Sequence, residues 1–342
     1  MNFQKYYSMT EAVIPDLIEI PDNSLYNAFY GMGNLKSISI PNSITNISRM
    51  CYNCGWNLTT AVCGPNVTDM SWAYSNCNKL KTAVCGNNVI NMCYAYYYCF
   101  NIKTAVCGPN VTDMSGAYSG CWNLTTAVCG SNVTDMSSAY SNCNKLTTAV
   151  CGPNVTDMAY TYYNCGWNLT TAVCGPNVTN MYGTYYNCLN LTTSVCGPNV
   201  TDMSGAYKNC TSLTTAVCGN NVTDMTNAYR NCRSLKVAIV GPNVNRMWYT
   251  FNGCTDLRNV YFYSNNVEYV NNCFTNNAST RQTNIYVHNG SNTFNKLLSG
   301  GIINGIRWEN SMNSGGYYRN YTHNIYIYPV DNVAAKRSAN GD

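Results

Sequence analysis

The chain has 342 residues, a mass of 37.8 kDa and a formal net charge of +4, from 19 Lys and Arg against 15 Asp and Glu. Charged residues make up 10% of the sequence, whereas about 25% is usual in a globular protein. So few basic residues argue against a nucleic-acid-binding surface, and no apolar run approaches the ~18 residues of a membrane-spanning helix. With only 2 His, most histidine-based catalysis and metal binding are excluded, and we expect no cofactor.

Residues 1–34 precede a regular repeat. They contain no apolar stretch like the core of a secretory signal peptide, so we do not expect export by that route. A degenerate repeat begins near Leu17. We expect this segment to cap the array that follows, because an end unit must cover the core that its neighbour would otherwise expose.

Residues 35–277 repeat a unit of 22 residues. Two units have 23 residues and contain the insertion Cys-Gly-Trp-Asn. A period of this length is the signature of a solenoid, in which each unit forms one coil and stacked coils share a continuous core. The opening residues of the units are Leu35, Leu58, Leu80, Ile102, Leu124, Leu146, Leu169, Leu191, Leu213, Leu235 and Leu257.

The pattern inside one unit predicts its secondary structure. We number the opening residue as position 0 of a coil. Positions 3 and 5 point inward as in a short strand, and Gly-Pro-Asn at positions 6 to 8 is a turn signal. Val, Met, Ala and Tyr at positions 9, 12, 15 and 16 recur at a helix-like spacing. The sequence therefore predicts a right-handed coil with one short parallel strand, a turn and a short helical or irregular return limb.

The repeat resembles the BspA-type, or Treponema-type, leucine-rich repeat. That pattern is Leu-x-x-Ile-x-Ile-Pro, then Val, Ile, Ala-Phe, and Cys before the next Leu. Residues 35–47 match it best, as Leu-Lys-Ser-Ile-Ser-Ile-Pro-Asn-Ser-Ile-Thr-Asn-Ile. The resemblance covers residues 17–277, although units here are one residue shorter, with Tyr for Phe and Cys where Ile is usual. It implies a leucine-rich-repeat-like solenoid that binds, as adhesins and some bacteriophage proteins do, and is not an enzyme.

Residues 278–342 lack the repeat and predict a small C-terminal α+β domain for capping or attachment. Both histidines, His288 and His323, lie in this part and are expected to be structural. The predicted elements are strands over 282–288 and 324–329, a helix over 292–298 with Ser291 as its N-cap, and a short helix in the tail from 331 onward.

The 21 cysteines fall mainly into two columns, at positions 5 and 19. Neighbours in one column are expected ~4.8 Å apart, which suits a disulfide by distance but strains its torsion. Pairing each position-19 Cys with the next position-5 Cys is the alternative. The odd total leaves at least one thiol unpaired, and Cys51 and Cys54 are the only C-x-x-C pair. The sequence favours free, buried thiols, then disulfides, then metal; free thiols indicate a reducing compartment.

Four further columns have structural interpretations. The position-16 tyrosines predict a buried stack with hydroxyls at the rim, and the position-8 asparagines predict amide bonds between coils and a left-handed φ. The position-11 aspartates predict caps on local backbone N–H groups, with a cation-binding ridge as the alternative. The position-4 valines predict an outward ridge that either packs against another chain or reflects strand propensity: Val62, Val84, Val106, Val128, Val150, Val173, Val195 and Val217.

The candidate binding residues lie at positions that vary between units, because variable positions of a regular solenoid are normally exposed. Exposed aromatic side chains stack on sugars or fill pockets of a protein partner; tolerated surface variation is the alternative. The candidates are Trp72, Tyr94, Tyr97, Phe100, Trp122, Tyr160, Tyr163, Trp167, Tyr182, Tyr186, Trp248 and Tyr249.

These features together predict a non-enzymatic binding or structural protein. The leading hypothesis is a phage virion component, such as a fibre, decoration or host-adhesion protein, made in the host cytoplasm. Its expected partners are a protein or a cell-surface glycan, with other virion proteins or copies of itself as further options. A bacterial cell-surface adhesin is the alternative. A glycan-active enzyme is less favoured, since a regular aspartate column provides no unique pair of carboxylates.

Overall fold

The computed structural model describes residues 3, 5–16, 19–277, 282–299, 312, 314–320 and 324–342. The chain forms two compact units, Met1–Leu169 and Thr170–Asp342. Each is a solenoid in which equivalent residues of successive coils are neighbours, as the repeat predicts. Leu17 and His323 lie outside the described residues, and the predicted domain boundaries at 34/35 and 277/278 stay predictions. No helix of the described part is both long and apolar enough to cross a membrane.

The first unit begins with a short strand that covers its first coil. β1 (Glu11–Ala12) pairs in parallel with β2 (Ser37–Ile38), and a 3₁₀ turn follows β1 at Pro21–Asn23. The ring of Phe3 stacks on that of Phe29 at 5.0 Å. The N-terminal residues therefore supply backbone and aromatic cover to the open end of this unit.

The core of each unit contains one file of side chains per column. Side chains at positions 0, 9, 12, 16 and 19 are fully buried, and each large one contributes about 1.5–3 kcal/mol. The position-16 rings stack at centroid distances of 5.4 to 5.9 Å, which confirms the predicted stack. The file consists of Tyr74, Tyr96, Tyr118, Tyr140 and Tyr162 in the first unit, and Tyr185, Tyr207, Tyr229 and Phe251 in the second.

The tyrosine hydroxyls do not reach the rim of the coil, and this part of the prediction is wrong. Each hydroxyl ends at the backbone of the position-4 valine, twelve residues earlier in the same coil. The hydroxyl of Tyr96 accepts from Val84 N at 2.9 Å and donates to Val84 O at 2.6 Å. A fully buried hydroxyl needs such partners, because burying it unpaired would cost about 1–3 kcal/mol.

This contact accounts for an incomplete strand ladder. Backbone groups that bind a hydroxyl inside the coil are not available to the next coil. In the first unit the strand positions beside these tyrosines keep only single bridges, such as Thr60 to Thr82. In the second unit the parallel strands β3 (Thr215–Val217), β4 (Val237–Val240) and β5 (Asn259–Phe262) form a sheet. The two longer strands, β4 and β5, lie in the coils where Phe251 and Phe274 replace the tyrosine.

The return limb is irregular and not helical. Every second N–H donates to the next coil, as Met92 N does to Asp113 O and Tyr94 N does to Ser115 O, both at 2.8 Å. The N–H groups between them close tight turns, such as Ala95 N to Met92 O at 2.9 Å. The helix-like spacing in the sequence thus reflects a succession of turns, and the main hydrogen-bonded ladder between coils runs along this limb.

The sheet of the second unit continues into the C-terminal residues, which extend the solenoid. The predicted strands and helices of this segment are confirmed to within two residues at their starts. The edge strand β7 was not predicted. The elements are β6 (Thr283–His288), α1 (Asn292–Leu298), β7 (Tyr318–Asn320), β8 (Ile325–Val330) and α2 (Val333–Ala339), and the sheet order is β3-β4-β5-β6-β8-β7.

The two short helices complete this end of the second unit. Ser291 caps α1, because its Oγ accepts from Phe294 N at 3.1 Å. Val333 of α2 packs against Tyr261 and Tyr286 on the outer face of the sheet. The position-4 column is therefore covered at this end of the unit.

Candidate functional site

An aromatic cluster lies on the return limb of the first unit. Trp72 and Tyr94 stack at a centroid distance of 4.2 Å, and the ring of Tyr97 lies 5.8 and 5.4 Å from them. Further ring contacts extend the cluster to Phe100, which stacks on Trp122 at 4.4 Å. The structure therefore brings five of the sequence-predicted residues together, all half-buried or exposed.

Sequence reasoning missed four members of this cluster. Tyr30 stacks on Tyr52 at 5.3 Å, Tyr52 contacts Trp72 at 6.0 Å, and Tyr98 contacts Tyr97 at 4.4 Å. The guanidinium of Arg49 lies 5.8 Å from the Trp72 ring centre, within cation–π range. Tyr52 was detectable, because it occupies the same position 17 as Tyr97.

Several of these aromatic residues have a left-handed backbone. At position 14, φ is 58° for Trp72, 52° for Tyr94 and 54° for Tyr160. Other coils place Gly116 or Gly205 at that position, with φ of 59° and 63°. A left-handed φ costs a residue with a Cβ about 1–2 kcal/mol. The fold therefore accepts glycine at this position, and the aromatic residues occupy it although its left-handed conformation disfavours them.

Two glycines accommodate rings of the preceding coil. A Cβ on Gly116 would overlap the ring of Tyr94, and one on Gly120 would lie 3.0 Å from the ring of Tyr98. Because neither glycine has a side chain, both rings lie flat against the limb. The sequence of one coil thus provides the space for the aromatic residues of the coil before it.

A second aromatic row lies where the return limb ends, two residues before an opening residue; we call this place the corner of the coil. Trp56 is 76% exposed, Trp167 is 67% exposed, Trp122 is 46% exposed and Phe100 is half-buried. Trp56 was missed, although it shares the motif Cys-Gly-Trp-Asn with Trp167. A Cβ on Gly55 would lie 2.6 Å from a backbone carbonyl oxygen of the next coil, so this insertion requires glycine.

The remaining candidates form smaller groups. Tyr160 and Tyr163, in the first unit, meet edge to face at 5.7 Å. In the second unit, Lys208 Nζ lies 4.9 Å from the ring centre of Tyr186. Arg230 lies 5.4 Å from the ring centre of Tyr249, Tyr182 and Trp248 are exposed, and Trp248 meets Tyr269 edge to face at 5.6 Å.

The position-4 valines form a row that is less exposed than its sequence suggests. Seven of the eight are half-buried, since their backbone groups turn toward the tyrosine hydroxyl. Packing of this row against another chain stays a prediction. The half-buried members are Val62, Val84, Val106, Val128, Val150, Val173 and Val195, and Val217 is exposed.

All 21 cysteines are free thiols. The position-19 thiols are fully buried and donate to the carbonyl of the position-16 tyrosine of the preceding coil; Cys121 Sγ lies 3.1 Å from Tyr96 O. Burial raises the pKa of Cys121 to about 12, so this thiol stays protonated and unreactive at neutral pH. The position-5 thiols were predicted to be core. They are half-buried, except for the buried Cys218.

The aspartate and asparagine columns have local and inter-coil roles. Asp113 Oδ1 accepts from Ser115 N at 2.8 Å, as predicted for a backbone cap. Asn132 Nδ2 donates to Pro109 O of the preceding coil at 2.8 Å. Most left-handed asparagines of the array lie at position 18 rather than position 8, since position 18 ends a turn of the return limb. Asn164 is one, with φ of 57°, and Asn227, at position 14, is an exception. In the described ranges, no group of three or more His, Cys, Asp and Glu is arranged to hold a metal ion.

The family model for the BspA type leucine rich repeat region matches residues 2–117, 93–192, 114–236 and 182–299. The chain belongs to the BspA-type leucine-rich repeat family. No curated protein matches it.

Several solved structures have a similar fold. A leucine-rich repeat protein from Bacteroides ovatus is 16% identical with a TM-score of 0.46, over 75% of this chain and 80% of that chain. A leucine rich cell surface protein from Faecalibacterium prausnitzii is 17% identical with a TM-score of 0.43, over 75% and 88%. The pneumococcal vaccine antigen PcpA is 12% identical with a TM-score of 0.45, over 89% of each chain.

Proposed function

We propose that this BspA-type repeat protein is a non-enzymatic binding protein whose aromatic surface in the first unit contacts a protein or a glycan. The surface comprises the aromatic cluster on the return limb and the row at the corner. The observation that carries the proposal is the left-handed backbone of Trp72, Tyr94 and Tyr160. Residues held in such conformations concentrate at functional sites. Glycine, which other coils have at this position, would make the limb more stable than these aromatic residues do.

The test replaces strained aromatic residues by the residue that other coils use. Trp72→Gly and Tyr94→Gly together should leave the fold intact, because Gly116 and Gly205 have the same φ. Binding of the labelled full-length chain to bacterial cells that the wild type binds should then fall at least tenfold. Tyr26→Ala, at an exposed side chain outside the cluster, serves as control. Equal binding by the double variant and the wild type would reject this surface.

We place the protein in a phage virion, with a bacterial cell surface as the alternative. Support for the first placement comes from the free thiols, which suit assembly in a reducing cytoplasm. Mass spectrometry of purified virions should detect the chain at a fixed ratio to the capsid proteins. Its absence from virions, together with recovery in the envelope fraction of source cells, would favour the adhesin.

Catalysis is the least supported function. The carboxylates of the position-11 column accept bonds from nearby backbone N–H groups, which is a structural task. Incubation with bacterial polysaccharides should release no products. Hydrolysis of a polysaccharide that is abolished by a single Asp→Asn substitution would instead support a glycan-active enzyme.

A further inference from the structure

The aromatic row at the corner of the first unit has an internal order. Phe100 and Trp122, from adjacent coils, stack at 4.4 Å with an interplanar angle of 18°. Rings of adjacent coils stack face to face only when their faces look along the stack of coils. The outer face of Phe100 therefore looks toward the preceding coil, and the outer face of Trp122 looks toward the following coil.

On each side of this stacked pair, one coil lacks an aromatic residue at the corner. These two coils have the same sequence, Ser-Asn-Cys-Asn-Lys-Leu, at 75–80 and 141–146. Beyond them lie Trp56 on one side and Trp167 on the other. The corner thus repeats an order of aromatic, Asn-Lys, aromatic: Trp56, Asn78-Lys79 and Phe100, then Trp122, Asn144-Lys145 and Trp167.

In each arrangement the middle coil has no aromatic side chain at the corner, which would leave a gap that is one coil wide. Two coil spacings separate the flanking aromatic residues by ~10 Å. A ring held in van der Waals contact on both faces needs about 7–8 Å, so each gap accommodates one sugar ring. Asn78 is half-buried and its Oδ1 is enclosed by protein atoms, whereas the side chain of Asn144 is exposed. A ligand hydroxyl can therefore reach the amide of Asn144.

The corner is also fixed in place. Asparagines that follow the aromatic residues donate to carbonyls of the preceding coil: Asn101 Nδ2 to Asn78 O at 2.7 Å and Asn168 Nδ2 to Asn144 O at 3.0 Å. A ligand that enters a gap would therefore meet walls and a base that need little further ordering, which lowers the entropic cost of binding.

The charge at this corner has one sign. The exposed side chains of Lys79, Lys81, Lys103 and Lys145 lie within one residue of an opening residue. From position 19 of each coil through position 2 of the next, residues 77–82, 99–104, 121–126 and 143–148 contain no Asp or Glu. The aspartate column lies at position 11, half a coil away. Charge complementarity thus indicates an anionic ligand.

We propose that the two gaps are equivalent subsites for a linear acidic polysaccharide of the uronic-acid class. This inference rests on the proposed binding function and specifies its ligand. Aromatic faces stack on the sugar rings, Asn144 binds a ring hydroxyl, and Lys79 and Lys145 pair with carboxylates. The subsites are three coils apart, or ~14 Å, so one extended chain of several sugars spans both.

Titration calorimetry with the full-length protein tests the ligand class. The probes are a length series of oligogalacturonates and of hyaluronan fragments, with methyl-esterified oligogalacturonates as the neutral, matched control for the first series. At least one acidic series should bind about tenfold tighter than its neutral form at low salt, and the difference should shrink as salt rises. Affinity should increase sharply at the length that reaches both subsites. Neutral and acidic probes binding equally, or none binding, would overturn the proposal.

Substitutions test the position of the subsites. Trp122→Ala and Lys145→Gln should each lower affinity for the acidic probe three- to tenfold. Trp167→Ala should remove the gain with length while binding of the shortest probes through the other gap persists. Tyr26→Ala and Lys236→Gln, at exposed residues away from this corner, are the controls and should change nothing. A loss of affinity with the controls that equals the loss with the corner variants would also reject the subsites.

The outcomes for ligand and function remain distinguishable. If the acidic probes fail but cell binding still depends on Trp72 and Tyr94, the polysaccharide inference is wrong and the binding function stands. A protein or a neutral glycan would then be the partner. If both the probes and the cells fail to bind, the proposed function is wrong as well.

Discussion

At the residue scale, the position-16 tyrosine and the position-4 valine determine how each coil closes. The fully buried ring of Tyr140 contributes to the aromatic file, and its hydroxyl bonds to both backbone groups of Val128. One side chain thus fills the core and satisfies polar groups across the coil. Two contributions follow, apolar burial and hydrogen bonding, and substitution to phenylalanine separates them.

Tyr140→Phe should lower the free energy of unfolding by about 1–3 kcal/mol. The ring remains in the stack, but Val128 N and O lose their partner inside the coil. Urea denaturation provides the measurement, and Tyr26→Phe, at an exposed ring, should change stability by less than ~0.5 kcal/mol. Equal stability of Tyr140→Phe and the wild type would mean that water or a neighbouring coil replaces the hydroxyl.

The buried phenols and thiols also predict a loss of stability at alkaline pH. Burial raises the pKa of Tyr96 and Tyr118 well above the usual value, and that of Cys121 to about 12. The folded state therefore holds protons that the unfolded chain releases near about pH 8.5 for Cys and 10 for Tyr. Stability is complete below these unfolded values and falls as pH rises through them toward the raised folded values.

Urea midpoints measured from neutral pH upward should decline from about pH 9, and tyrosinate absorbance should rise together with unfolding. Full ionisation of all tyrosines without loss of structure would contradict the buried file.

At the element scale, the return limb carries both the coil-to-coil hydrogen bonds and the candidate aromatic residues. Its left-handed positions favour glycine or asparagine, yet Trp72 and Tyr94 occupy two of them. The strand limb behaves differently. It becomes continuous only where phenylalanine frees the backbone, as in β4 and β5.

Glycine and alanine variants at neighbouring positions test the strain on this limb. Tyr160 has φ of 54°, whereas Tyr163 is not left-handed. Tyr160→Gly should be more stable than Tyr160→Ala by about 1–2 kcal/mol, because only Gly adopts a left-handed φ without cost. For Tyr163 the order should be the opposite, with the Ala variant more stable than the Gly variant by about 0.5–1 kcal/mol. Urea denaturation of the four variants gives the comparison, and the same order at both positions would refute the assigned backbone.

At the scale of the whole molecule, the thiols report on the fold of both units. Denatured protein prepared without reductant should titrate as 21 thiols per chain. In the native protein, half-buried thiols such as Cys93 and Cys107 should react first. The fully buried position-19 thiols should react only on unfolding. Fewer titratable thiols in denaturant would reveal disulfides, and rapid reaction of every thiol in the native state would contradict the buried files.

Much of the architecture was predictable from the sequence because the repeat imposes it. A period of 22 residues with apolar columns can bury those columns only by stacking one coil on the next. The C-terminal strands and helices were predictable for local reasons, such as Ser291 ahead of an amphipathic segment. The candidate aromatic residues followed from variation between coils, but the neighbours that each ring would contact did not.

The sequence by itself therefore determined the coil, its files of buried residues and the family to which it belongs. Only the tertiary structure decided where the tyrosine hydroxyls end, which limb carries the ladder, and which rings meet in the aromatic cluster. The physical reason is the separation of the interacting residues along the sequence. Periodicity and capping can be recognised in the sequence itself. Hydroxyl partners and ring contacts join residues 12 or more positions apart, and these meet only when a coil closes or when coils stack.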